Sequence, residues 1–141
     1  MTLDAGFGAV LLLVGRLLFG GFLAFAGLNH FMNADEMSDY AATKGVPAAE
    51  FGVIASGSML VLGGLGLLVG AYPVLAAGAV ATFFIVVTPM MHDFWAVPDE
   101  QQEEEELTNF LKNVELLGAA LVFLALGDQV WGFALNIGLR L

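Results

Sequence analysis

Four apolar runs of about 20 residues each set the main limit on how this chain can fold. They cover approximately residues 7–32, 48–70, 73–91 and 107–127. Each approaches the ~20 residues that a helix needs to cross a ~30 Å hydrocarbon core. With 59% hydrophobic residues, the chain has more apolar surface than a soluble domain of this size can bury. We therefore predict an all-α integral membrane protein with a single transmembrane domain over residues 1–141.

The connections between the runs alternate in length and predict the topology. Residues 33–47 and 92–106 are long connections, whereas Ala71 and Tyr72 form a tight turn before Pro73. An up-down-up-down four-helix bundle fits this order. Both long connections then share one membrane side, which we call the loop face, and both termini share the other side.

The two ends of the chain carry further expectations. The first run is too long for the apolar part of a signal peptide and follows no basic segment, so it is predicted to be a retained helix. Residues 128–141 are predicted to be a short interfacial segment anchored by Trp131. Arg140 follows the last run closely, and the excess of Lys and Arg on cytoplasmic loops then favours cytoplasmic termini in a multi-pass protein of the cell membrane.

Charge and cysteine content exclude several classes of function. The chain has 14 acidic residues against four Lys and Arg, a formal net charge of −10. This charge disfavours nucleic acid and anionic headgroups as partners and fits a salt-adapted, halophilic organism. The run Glu103–Glu106 is interpreted as a solvated loop that frays into a helix start, in preference to a cation site. The absence of cysteine excludes disulfides and thiolate redox chemistry, and no nucleotide, nucleophile or zinc motif indicates an autonomous hydrolase or dehydrogenase.

A stripe of small and polar residues runs along the first predicted helix. At 100° per residue, Gly20, Leu23, Gly27 and His30 fall within about 40° of Arg16. A deep arginine is costly in lipid unless it is paired or hydrated. The stripe is therefore predicted to face the interior of the bundle.

Depth along the helices suggests a partner for this arginine. At 1.5 Å per residue, Arg16 lies ~16 Å from the loop face and Glu115 ~12 Å from it. No other carboxylate reaches this level. A buried ion pair between Arg16 and Glu115 is predicted, joining the first and fourth helices.

The remaining polar residues of the spans gather near the loop face. They come from the first, third and fourth helices at similar depth and predict a polar funnel that descends toward the midplane. The ligand-binding candidates are Asn29, His30, His92, Asp93, Asn109, Lys112 and Asn113.

The pattern of four runs resembles the DoxX family of small membrane proteins over about residues 10–127. The segments that carry the resemblance are "GRLLFGGFLAFAGLNHF", "AATKGVP", "HDFWAVPD" and "NFLKNVELLGAALVF". The resemblance implies a four-helix membrane bundle, in some members a subunit of a terminal quinol oxidase or of a thiosulfate:quinone oxidoreductase. It places the polar positions of the family on Arg16, His30, His92, Asp93, Asn109, Lys112 and Asn113. The carboxylate that many members carry before a Gly-Gly pair in the second span is replaced here by Leu60, Val61 and Leu62 before Gly63 and Gly64, and Glu115 is interpreted as its substitute.

Three functions are compatible with these residues. The first is a membrane subunit of a quinone-linked redox complex, in which His92 or His30 hydrogen-bonds a quinone oxygen and Asp93 relays the proton. The second is a structural or assembly protein whose polar groups specify helix register, with His92 and Asp93 ending the third span. The third is a small-solute carrier. It is less favoured, because no span is broken and no inverted repeat is visible, and both features are typical of transporters.

The expected ligands and partners follow from the same residues. Haem held by His30 and His92 is a disfavoured interpretation, and no metal is expected because zinc requires three or four converging ligands. A quinone is the one cofactor that the residues favour. The expected partners are the lipid bilayer, subunits of a respiratory or redox complex, and a second copy of the chain in a homo-oligomer.

Overall fold

The structure, a computed structural model that describes residues 2–138, is an all-helical membrane bundle. Four helices are long and apolar enough to cross a membrane: α1 (Gly6–Met32), α3 (Ala49–Val69), α4 (Pro73–Met91) and α5 (Glu100–Ala125). A shorter helix, α2 (Ala34–Thr43), lies between α1 and α3. The predicted all-α membrane fold is thus confirmed. Arg140, on which the predicted orientation rests, lies outside the described residues, so cytoplasmic termini stay a prediction.

The contact between α1 and α3 is made by glycines that let the two backbones touch. A Cβ atom on Gly64 would lie 2.6 Å from the Gly20 carbonyl oxygen, and one on Gly27 would lie 2.7 Å from the Gly57 carbonyl oxygen. The pairs 20/64 and 27/57 have a constant sum of residue numbers, as antiparallel neighbours must. Small residues permit such close approach in lipid, where packing rather than the hydrophobic effect joins helices.

The other helices complete the bundle by side-chain packing. Helix α3 packs on α4, and α4 packs on α5. The rings of Phe19 and Phe123, 5.4 Å apart and nearly parallel, close the bundle between α1 and α5. The outer surface keeps large apolar side chains such as Leu18 and Phe25, 71% and 70% exposed, as a lipid-facing surface requires.

Both long connections on the loop face contain helix that the hydropathy pattern does not predict. Residues 34–43 form α2, whose charged residues Asp35 and Glu36 lie in its first turn, where the helix dipole favours them. Helix α5 begins at Glu100, seven residues before the predicted span, after Asp99 accepts a hydrogen bond of 2.9 Å from the Gln102 amide. The acidic run, expected to be a solvated loop that frays into a helix start, is helical throughout, and three of its four side chains are exposed.

The segment after α5 folds back onto the end of the bundle, and its predicted interfacial location stays a prediction. Trp131 is only 1% exposed, and its indole N–H donates to the Leu126 carbonyl at 2.9 Å. Backbone bonds fix the segment further, from Tyr72 N–H to Ile137 O (2.7 Å) and from Leu135 N–H to Val69 O (2.9 Å). The described part of the predicted interfacial tail is thus a plug that covers the tight-turn end of the bundle.

Candidate functional site

Five polar side chains from three segments meet on the loop face. Tyr40 and Lys44 come from α2 and its end, His92 and Asp93 follow the last turn of α4, and Glu106 lies in the second turn of α5. We call these five residues the loop-face cluster. They are brought together because α2 folds across the ends of the spanning helices.

Glu106 is the centre of the cluster. Glu106 is only 7% exposed, and each of its two carboxylate oxygens has a hydrogen-bond partner. Oε1 accepts from the Tyr40 hydroxyl at 2.9 Å, and Oε2 lies 2.8 Å from His92 Nδ1. An ionised carboxylate only accepts hydrogen bonds, so Nδ1 of His92 carries the hydrogen. His92 Nε2 is therefore the ring nitrogen left to meet a ligand.

A second ion pair fastens α2 beside this one. Lys44 Nζ lies 2.5 Å from Asp93 Oδ1, and the same ammonium stands 5.7 Å from the centre of the Tyr40 ring. The hydrogen bond to Asp93 raises the pKa of Lys44. Burial raises the pKa of Tyr40, and its hydrogen bond to Glu106 raises it further. Lys44 is therefore charged and Tyr40 is a neutral donor at physiological pH.

A cavity of about 530 Å³ opens beneath the cluster, between the helices. Its walls are mostly apolar and include four of the six methionines of the chain, Met37, Met59, Met90 and Met91. Flexible thioether side chains adapt their shape to an apolar ligand. The cavity thus has the size and the surface of a small-molecule site, for which 300–1,000 Å³ is about the usual range.

The predicted ligand-binding residues divide into two groups around this cavity. His30, His92, Lys112 and Asn113 all line it, although they come from three different helices. Asn29, Asp93 and Asn109 lie outside its described lining. These three bond to protein groups instead: Asn29 Oδ1 accepts from Asn33 at 2.7 Å, Asp93 pairs with Lys44, and Asn109 Oδ1 accepts from Lys112 at 3.1 Å. The proposed proton relay through Asp93 is not supported, since Glu106 holds His92.

The comparison with protein families agrees with the resemblance seen in the sequence. The DoxX family model matches residues 11–93, more than half of the 141 residues. The chain belongs to the DoxX family. No curated protein and no solved structure matches it. Within the DoxX match lie Arg16, His30, His92 and Asp93, whereas the α5 residues of the site lie beyond its end.

Arg16 of this DoxX protein does not form the predicted ion pair. Its guanidinium donates to the carbonyls of Leu67 (3.0 Å) and Leu68 (2.7 Å) in the last turn of α3. It also donates to the carbonyls of Gly132 (3.0 Å) and Phe133 (3.1 Å) in the C-terminal plug. Glu115 is exposed on α5. The correction has a physical reason: a helix C-terminus carries free carbonyls and a partial negative charge, which satisfy an arginine without a carboxylate.

The predicted stripe on α1 nevertheless faces inward. Arg16, Gly20, Leu23 and Gly27 are buried, and His30 is partly buried. Trp131 from the plug covers the Arg16 guanidinium, whose carbon lies 5.5 Å from the indole centre. In this DoxX protein, Arg16 therefore closes the end of the bundle opposite the cavity and takes no part in the site.

Three residues of the loop-face cluster escaped prediction, Glu106 for one reason and Tyr40 and Lys44 for another. Glu106 was grouped with its exposed neighbours, although it lies seven residues, or about two turns, before the buried Asn113. Extending the periodicity of α5 backwards would have placed both on one face. Tyr40 and Lys44 carried no signal of this kind, because α2 is short and its position depends on tertiary contacts.

Proposed function

We propose that this protein is the membrane subunit of a quinone-linked redox complex and that it binds a quinone-like amphiphile in the cavity. One observation carries the proposal. An apolar cavity ends at a histidine whose far nitrogen is held by a carboxylate, and this carboxylate is held by a tyrosine. Apolar walls suit an isoprenoid tail, and a polar end suits the ring oxygens.

The chemistry of quinone reduction fits the polar end. A quinone takes up two electrons and two protons to become a quinol. In the proposal, the electrons come from a redox centre in a partner subunit. His92 donates one proton from Nε2 to a ring oxygen when it is in its imidazolium form, which carries a hydrogen on both ring nitrogens. The second proton comes from water at the loop face.

Glu106 and Tyr40 act on the substrate through His92. The carboxylate fixes the ring orientation and tautomer of His92 and stabilises the imidazolium, since a charge-assisted hydrogen bond is stronger than a neutral one. The Tyr40 hydroxyl keeps the carboxylate in place. Both are positioning residues, and His92 is the one that contacts the substrate.

The structural or assembly role remains the second candidate because of one observation. The acidic and basic members of the cluster are all bonded within the chain: Glu106 to His92 and Asp93 to Lys44. Such pairs tie α2, α4 and α5 together whether or not a ligand binds. The two candidates differ in whether the cavity is occupied by a ligand in the membrane.

Replacing His92 with alanine is expected to weaken quinone binding at least tenfold while the helices stay folded. The expected size is that of a lost hydrogen bond to a charged group, about 1.5 kcal/mol or more. The affinity of a short-chain benzoquinone would be measured by calorimetry on protein in lipid nanodiscs, and circular dichroism would report folding.

The matched pair Glu106→Gln and Glu105→Gln provides the control. Both remove one negative charge from α5, but Glu105 is exposed and Glu106 is buried against His92. Glu106→Gln is expected to weaken binding and Glu105→Gln to leave it unchanged. If the folded wild-type protein binds no quinone, the quinone proposal fails and the structural role is favoured.

A further inference from the structure

We propose that His30 is a hydrogen-bond acceptor that selects ligands carrying an aromatic hydroxyl, so that the cavity holds the quinol more tightly than the quinone. The inference rests on the proposed function in naming the quinol, but the preference for a hydroxyl follows from the cavity itself. It concerns residues of α1, α3 and α4, and not the loop-face cluster.

Local contacts fix the tautomer and the position of His30. Its Nδ1 lies 2.9 Å from the Ala26 carbonyl oxygen, and a carbonyl only accepts, so Nδ1 carries the hydrogen. In the neutral imidazole, Nε2 then holds the lone pair. The ring stands edge-on to Phe83 with centroids 6.1 Å apart. A Cβ atom on Gly57 would lie 2.7 Å from His30 Cβ, so the missing side chain of Gly57 makes room for this residue.

The neighbouring hydroxyls of the cavity wall are also acceptors. Ser56 donates its hydroxyl hydrogen to the Val53 carbonyl at 3.0 Å, and Thr82 donates to the Gly78 carbonyl at 2.8 Å. Each oxygen keeps only lone pairs for a ligand. His30, Ser56 and Thr82 all line the cavity. This part of the wall can therefore accept hydrogen bonds from a ligand, because its own donors are already bonded to backbone carbonyls.

The donors of the cavity are elsewhere. Lys112 and Asn113 belong to α5 and line the same cavity, and an ammonium or a side-chain amide N–H can donate. A ligand with two oxygens on one ring can accept at this side in both redox states. At His30 the two states differ: a quinol hydroxyl donates to Nε2, whereas a quinone oxygen would bring a lone pair against a lone pair. The acceptor side thus distinguishes the reduced ligand from the oxidised one.

The test compares two ligand pairs that differ in one hydroxyl function. The first pair is a short-chain benzoquinone and its anaerobically reduced quinol. The second is a 4-alkylphenol and its methyl ether, which has the same shape but no donor and no redox chemistry. Binding to wild type and to His30→Phe would be measured in nanodiscs at pH 8.

The wild-type protein is expected to favour the quinol over the quinone, and the phenol over its ether, by about tenfold, the size of one hydrogen bond of ~1.4 kcal/mol. For the two-electron couple, a tenfold preference raises the midpoint potential of the bound quinone by about 30 mV. His30→Phe should remove most of both preferences and leave the affinity for the quinone within threefold. Ser56→Ala should weaken phenol binding by a smaller factor. Ser58→Ala, on the same helix but outside the described cavity lining, should not change it.

The outcomes separate this inference from the proposed function. If the phenol pair is discriminated through His30 but no quinone or quinol binds, the role of His30 stands and the quinone proposal fails. If the quinone binds but His30→Phe weakens both members of each pair equally, the inference is wrong and the quinone proposal survives. Loss of all binding by every probe in folded wild type would overturn both.

Discussion

Replacing Arg16 with leucine is expected to destabilise the protein by about 3 kcal/mol or more, which corresponds to roughly 10 °C in melting temperature. Four carbonyl groups lose their donor: two in the last turn of α3 and two in the C-terminal plug. Each buried acceptor left without a partner costs about 1–3 kcal/mol. Thermal unfolding in a mild detergent, followed by near-ultraviolet circular dichroism, measures the loss.

The control for this variant is Glu115→Leu. Glu115 is exposed on α5, so its replacement is expected to change the melting temperature by a few degrees at most. Deleting residues 130–141 from wild type removes the plug, and the same deletion in Arg16→Leu should cost much less, because the two share their contacts. Equal losses in Arg16→Leu and Glu115→Leu would contradict the carbonyl assignment and restore the ion pair.

Replacing Gly64 with alanine is expected to have a comparable effect through a different mechanism. The added Cβ would lie 2.6 Å from the Gly20 carbonyl oxygen and 2.6 Å from the Ala24 amide nitrogen. Both are backbone atoms of α1, so no side chain can rotate away and the helices must separate. Overpacking of this kind costs about 1–3 kcal/mol, and we expect the upper end of the range in the same thermal measurement.

Gly118→Ala is the matched control for the glycine contact. Gly118 also lies within a spanning helix, but a Cβ there meets nothing within 4 Å. The substitution should be neutral or slightly stabilising, by up to ~1 kcal/mol from helix propensity. If Gly64→Ala is as stable as Gly118→Ala, the close contact of α1 and α3 is not as the structure describes it.

Hydropathy and periodicity are sufficient to predict the spanning helices and the inward face of α1. Helices α1, α3 and α4 begin and end within one residue of the predicted apolar runs. A segment that crosses the hydrocarbon core must be apolar, helical and long enough to span it, so the apolar run and the helix coincide. The helical angle places Arg16 and Gly27 on one stripe. The stripe is predicted to face inward because an arginine and a run of glycines are poor lipid-facing residues.

The partner of Arg16 could not be found in the same way. Depth pointed to Glu115, but angle points against it: Glu115 is two residues, or 200°, from the buried Asn113 and so faces the opposite side of α5. The true acceptors are main-chain carbonyls. Every residue has one, so no residue type marks them in the sequence, and only the fold shows which helix end meets the arginine.

The loop-face cluster was half predictable for a related reason. His92 and Asp93 follow the end of an apolar run, so the sequence marks these two members of the cluster as candidates. Glu106 looked like its solvated neighbours because hydropathy averages over a window and cannot separate one buried carboxylate from three exposed ones. Its burial depends on Tyr40 and on α2, which is a tertiary effect.

Photolabelling with a quinone that carries a diazirine in its tail tests the central claim most directly. The protein would be labelled in nanodiscs and the modified residues identified by mass spectrometry. The account predicts label on cavity residues such as Met59 and Met90, competed by unlabelled quinone and reduced in His92→Ala. Label confined to the lipid-facing side of α1, for instance at Leu18 or Phe25, and not displaced by excess quinone, would contradict it.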